Sequence, residues 1–64
     1  MHSLNLVSKD PKTLLIVDDA VDNLRMLTEL LKDDYQIRVA KNGEQALRLL
    51  RLNPQIDLVL MDVL

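Results

Sequence analysis

Two short apolar runs and one alternating stretch, separated by two stretches of helical periodicity, organise the chain. Leu14-Leu15-Ile16-Val17 is continuous, contains β-branched residues and stops abruptly at Asp18-Asp19. A run this short without polar alternation predicts a strand covered on both faces, as in a parallel sheet. From Val21 to Asp33 the period changes. Val21, Leu24, Leu27, Leu30 and Leu31 recur at helical spacing, with Arg25, Thr28, Glu29 and Lys32 opposite. This is the pattern of an amphipathic helix. Asp19 and Asp22 are both candidates to cap its start, where acidic groups suit the helix dipole.

Asp33-Asp34 marks the turn that follows. Tyr35 to Ala40 then alternates, with Tyr35, Ile37 and Val39 on one side and Gln36 and Arg38 on the other. That is the period of a strand with one wet face, hence an edge strand. Asn42-Gly43 breaks the chain, and Asn42 followed by Gln45 has the spacing of a capping box. Ala46, Leu47, Leu49 and Leu50, with Leu52 at the margin, give a second helix its apolar stripe. Asn53-Pro54 ends it, because the residue before proline avoids the helical region. Ile56 to Val63 forms a third strand, apolar without interruption from Leu58 to Met61 until Asp62 breaks it.

The order strand, helix, strand, helix, strand argues for a parallel α/β sheet with right-handed crossovers. The half-polar second strand belongs at an edge, and the two doubly apolar strands belong inside. The first strand therefore takes the middle, the order is 2-1-3, and the helices cover opposite faces of a doubly wound sheet. Residues 1–12 mix Ser, Asn, Lys and Asp with a few apolar residues and read as a flexible leader. Residues 13–64 form one folded unit.

Composition narrows the function. Of 64 residues 48% are hydrophobic, which suits a globular chain. A core this small is marginal by surface-to-volume scaling. The net charge is −2, and Tyr35 is the sole aromatic residue. With no basic stripe and no stacking set, nucleic-acid binding has no support. There are no cysteines, so disulfides and thiolate metal sites are excluded and a reducing, cytoplasmic setting is expected. No segment has the ~20 apolar residues of a membrane helix. His2, beside the initiator methionine, reads as a tail residue rather than a ligand.

In an open parallel sheet the ligand site lies beyond the carboxyl ends of the strands, where the strand order reverses. Here that point falls between the first and third strands, which end at Asp18-Asp19 and near Asp62. Three converging carboxylates repel one another unless a cation offsets their charge. Magnesium suits such oxygen ligands, taking one or two carboxylates while keeping several waters. An aspartate beside it can attack a phosphoryl group. The plainer alternative, a cap or loop role, fits Asp19 or Asp22 taken alone. It fits Asp62 poorly, since a carboxylate in an apolar strand is costly unless used or paired. Asp22, Asp33, Asp34 and Asp57 read as cap and turn residues, and Lys41 and Arg38 as solvated.

At these residues the chain resembles a known family. Thr13-Leu14-Leu15-Ile16-Val17-Asp18-Asp19 is similar to the opening of a response-regulator receiver domain. Asn42-Gly43-Glu44-Gln45-Ala46-Leu47 resembles the start of that family's second helix. Ile56-Asp57-Leu58-Val59-Leu60-Met61-Asp62-Val63 resembles the strand bearing the phosphorylated aspartate. The resemblance implies a flavodoxin-like fold, truncated to βαβαβ, in two-component phosphorelay signalling. It implies Asp62 as the phosphoacceptor and as a magnesium ligand. Asp19 is then a direct magnesium ligand, Asp18 an acidic partner acting through water, and the backbone carbonyl of Leu64 a further ligand. The implied partner is a histidine kinase or a phosphotransfer protein.

The family continues beyond the position of Leu64 with a proline-containing loop, a Ser or Thr and a Lys that read the phosphate, and a switch aromatic. Residues 13–64 are therefore expected to be the N-terminal half of a receiver, with the third strand left as an exposed edge that invites self-association. An alternative is a receiver-like fragment that binds or dimerises without phosphate chemistry. No enzyme is expected. A phosphatase with an aspartate nucleophile wants two aspartates one residue apart, whereas Asp18 and Asp19 are adjacent. A dinucleotide fold wants a glycine-rich loop after the first strand, which is absent.

Overall fold

A computed structural model describes residues 12–61. The elements run β1 (Lys12–Val17), α1 (Val21–Leu31), β2 (Tyr35–Ala40), α2 (Gly43–Leu52) and β3 (Ile56–Met61). All strands are parallel, in the order β2-β1-β3. This is the parallel βαβαβ arrangement that the alternation of periods predicts, in the flavodoxin-like order that the resemblance implies. The first 11 residues, assigned to a leader, and Asp62, Val63 and Leu64 lie outside the described residues. Lys12, also given to the leader, opens β1 and pairs with Tyr35.

Two cores flank the central strand. Alternate residues of β1 point to opposite faces, so one continuous apolar run feeds both. Leu15 and Val17 pack with Ala40 and Ala46, joined by Leu49, Leu50 and Ile56. Leu14 and Ile16 pack with Leu24, joined by Leu27, Leu31, Tyr35 and Ile37. Leu15 and Ile16 are the fully buried large side chains.

Several local expectations need correction. Helix α1 ends at Leu31 rather than Asp33, where the Asp34 amide bonds back to the Leu31 carbonyl at 3.1 Å. Neither Asp19 nor Asp22 caps its start. The N-cap is Ala20, which offers no side-chain acceptor. The apolar stripes are wider than the surface they cover, so Val21, Leu30, Leu47 and Leu52 are exposed. Val39 is also 45% exposed, lying with Val21 and Leu24 in a shallow groove.

Both helices pack over β1 and β2. Leu58, Val59, Leu60 and Met61 are consequently left 42–48% exposed. This is the exposed edge expected of the N-terminal half of a receiver; the cover on both faces that the apolar run of β3 predicts by itself is missing from Leu58 to Met61, while Ile56 joins the core beneath α2.

Asp57 is not a turn residue. The β1–β3 register shifts between Thr13, opposite Ile56, and Leu14, opposite Leu58. Asp57 is the extra residue of this irregularity, and its Oδ2 accepts a 2.9 Å hydrogen bond from the Thr13 amide. Its polarity belongs to strand pairing.

Candidate functional site

The carboxyl ends of the three strands border one open depression. Asp18, Asp19 and Asn23 line one side, Lys41 and Asn42 the other, and Met61 the end of β3. Strand pairing explains the convergence. Val17 sits opposite both Ala40 and Met61, so the three strands leave the sheet at one level. The Asp18 amide continues the ladder by donating to the Ala40 carbonyl at 3.1 Å.

The two adjacent aspartates differ sharply. Asp18 is 8% exposed. Its Oδ1 accepts from the Ala20 amide at 2.9 Å, and its Oδ2 accepts from the Asn23 side-chain amide at 3.2 Å. Each oxygen thus holds one donor and keeps further acceptor capacity. The bond to the Ala20 amide turns the chain from strand into helix. Asp19 is exposed and has no hydrogen bond among the described residues. One carboxylate is fixed and the other is open.

The opposite wall is built by the start of α2. Asn42 Oδ1 accepts from the Gln45 amide at 2.9 Å, as the capping-box spacing predicts. The reciprocal contact is displaced by one residue, because Gln45 Oε1 accepts from the Lys41 amide at 2.8 Å. Lys41 is solvent-exposed, as expected, yet it also borders the depression.

Of the site residues named from sequence, Asp18 and Asp19 are brought to this mouth. Asp62 and the Leu64 carbonyl lie outside the described residues. Among the described residues no group of three His, Cys, Asp or Glu side chains gathers. The donor set still fits a hard cation. Magnesium needs only one or two carboxylates and retains water, and the open Asp19 and anchored Asp18 supply such oxygens. Asn23 was missed from sequence. Its one signal is its place in the first turn of α1, five residues after Asp18.

Residues 14–64 match the family model of the response regulator receiver domain. The chain belongs to that family. The family consists of signalling modules. A curated relative, the "Probable cyclic di-GMP phosphodiesterase" of Vibrio cholerae serotype O1 (strain ATCC 39315 / El Tor Inaba N16961), is 44% identical over 63 residues. That match covers 98% of this receiver chain and 14% of the relative, so the chain spans about one-seventh of the relative's length. No solved structure matches the chain significantly. Among the described residues, no helix is long and apolar enough to cross a membrane.

Proposed function

We propose that this receiver is a phosphoacceptor, taking a phosphoryl group on Asp62 from a histidine kinase or phosphotransfer protein in the presence of magnesium. The observation that carries this reading is the pairing of Val17 with Met61. It sets the residue before Asp18-Asp19 opposite the residue before Asp62. Family membership supports the reaction class.

In this reading an Asp62 carboxylate oxygen attacks phosphorus. The new P–O bond forms as the P–N bond to the donor histidine breaks, and the imidazole leaves with the electron pair and takes up a proton. Asp19 is the direct protein ligand for magnesium and Asp18 acts through water, with the Leu64 carbonyl as a further ligand. Bound magnesium would offset charge on the transferring group. The burial and double anchoring of Asp18 support its indirect role, while the open carboxylate of Asp19 supports direct ligation.

The test is magnesium-dependent labelling by acetyl phosphate, with a product sensitive to hydroxylamine. Labelling should vanish in Asp62→Asn and fall sharply in Asp19→Asn, which removes the charged oxygen ligand a hard cation prefers. Label that survives in Asp62→Asn would refute the assignment of the acceptor.

A second reading is favoured by the exposure of β3. The module would associate through that strand, with itself or with another receiver-like domain, and need no phosphate chemistry. Association unchanged by Asp62→Asn, in a protein that resists labelling, would select it.

A further inference from the structure

We infer that Asn23 is a positioning residue for magnesium, acting through Asp18. The inference rests on the proposed metal role of the Asp18-Asp19 mouth, and it concerns a residue outside the ligand set. Asp18 is nearly buried, yet only two donors hold its carboxylate among the described residues. One is the backbone amide of Ala20, on Oδ1. The other is the Asn23 side chain, on Oδ2. Removing the second leaves the carboxylate tethered by one oxygen and free to turn about that bond.

The chemistry of the amide matters. A Lys or Arg at this position would neutralise Asp18 and compete with a cation. A neutral –NH2 donor fixes the carboxylate plane while leaving its charge for the mouth. Asn23 and Asp18 both line that mouth, so the clamp stands at the site itself. Partners that orient ligands in this way are typically worth about 10–100-fold in metal affinity. Asn23 is solvent-exposed and its bond is 3.2 Å long, so the lower end of that range is expected.

The experiment is a magnesium titration of the full chain followed by amide NMR. Gly43 is the chain's sole glycine and lines the same mouth, so its amide is a readily assigned reporter. Asn23→Ala should raise the magnesium Kd about tenfold, and Asn23→Gln, which keeps the donor, should recover part of the loss. In an Asp18→Asn background Asn23→Ala should change the Kd by less than about twofold, because the group it orients is already neutral. Metal-free melting of each variant separates a loss of fold from a loss of affinity. An unchanged Kd in Asn23→Ala, or an equal loss with and without Asp18, overturns the inference while leaving the magnesium site standing. Absence of magnesium binding by the parent protein overturns both.

Discussion

Asp57 Oδ2 accepts the backbone amide of Thr13 at 2.9 Å, joining residues 44 apart in sequence. Thr13 is 4% exposed, so its amide has little access to water as a substitute acceptor. The strand irregularity beside it removes the backbone partner that regular pairing would supply. Asp57→Ala should therefore destabilise the protein by about 1–3 kcal/mol, the cost of stranding a buried donor. Asp57→Asn keeps a carbonyl acceptor and should lose less. Urea denaturation with an unchanged slope is the measurement. An Asp57→Ala midpoint equal to that of the parent would show that the bond contributes nothing net.

Among the described residues Leu15 is the most deeply buried large side chain, at 0% exposure. It anchors the core beneath α2. Leu15→Ala should cost about 2–5 kcal/mol, and Ile16→Val, in the opposite core, about 0.5–1.5 kcal/mol. A fold of this size has little stability to spare. Circular dichroism at 25 °C should thus show Leu15→Ala largely unfolded and Ile16→Val folded.

The Asn42 cap can be tested apart from both cores. Its side chain satisfies the Gln45 amide at the exposed start of α2. Asn42→Ala should cost about 0.5–2 kcal/mol, and Asn42→Asp or Asn42→Ser should retain most of the cap. Thermal melting ranks the three. Equal melting temperatures for Ala and Asp would show that the cap is replaced by water.

The outer position of β3 makes a prediction about association. Val59 sits opposite Leu15 and Leu60 opposite Ile16, so the two side chains emerge on opposite faces. Lysine on an edge strand opposes pairing with another chain. The double substitution Val59→Lys, Leu60→Lys should shift any self-association seen by sedimentation velocity towards monomer. Association that persists unchanged would place the contact elsewhere, with the exposed leucines of the helices the next surface to probe.

Much of this architecture was legible because the strands differ in kind. The unbroken run from Leu14 to Val17 marked a central strand, and the alternation from Tyr35 to Val39 marked an outer one. Asn42 and Gln45 announced the second helix by a local contact that needs no tertiary information. The exposure of Leu30, Leu47 and Leu52 was not legible, because a helical stripe records apolar spacing and not the width of the sheet beneath it. Asp57 was misread for a related reason. A carboxylate at the start of a strand looks like a turn residue until the register with a strand far away is known. At the site, Asp18 and Asp19 stood out as a pair, but their division into an anchored and an open carboxylate depends on Asn23 and the Ala20 amide. Neither donor carries a sequence signature of its own.

The central place of β1 also sets an order of events in time. Its first neighbour, β2, is made soon after it, while its second, β3, is the last element of the described chain. At roughly 5–20 residues per second of synthesis, a few seconds separate the appearance of β1 from that of β3. Through that interval one flank of Leu14-Leu15-Ile16-Val17 has no strand to receive it. The strand whose residues end among the most buried of those described thus spends part of its making with an open edge, of the kind that invites pairing with another chain.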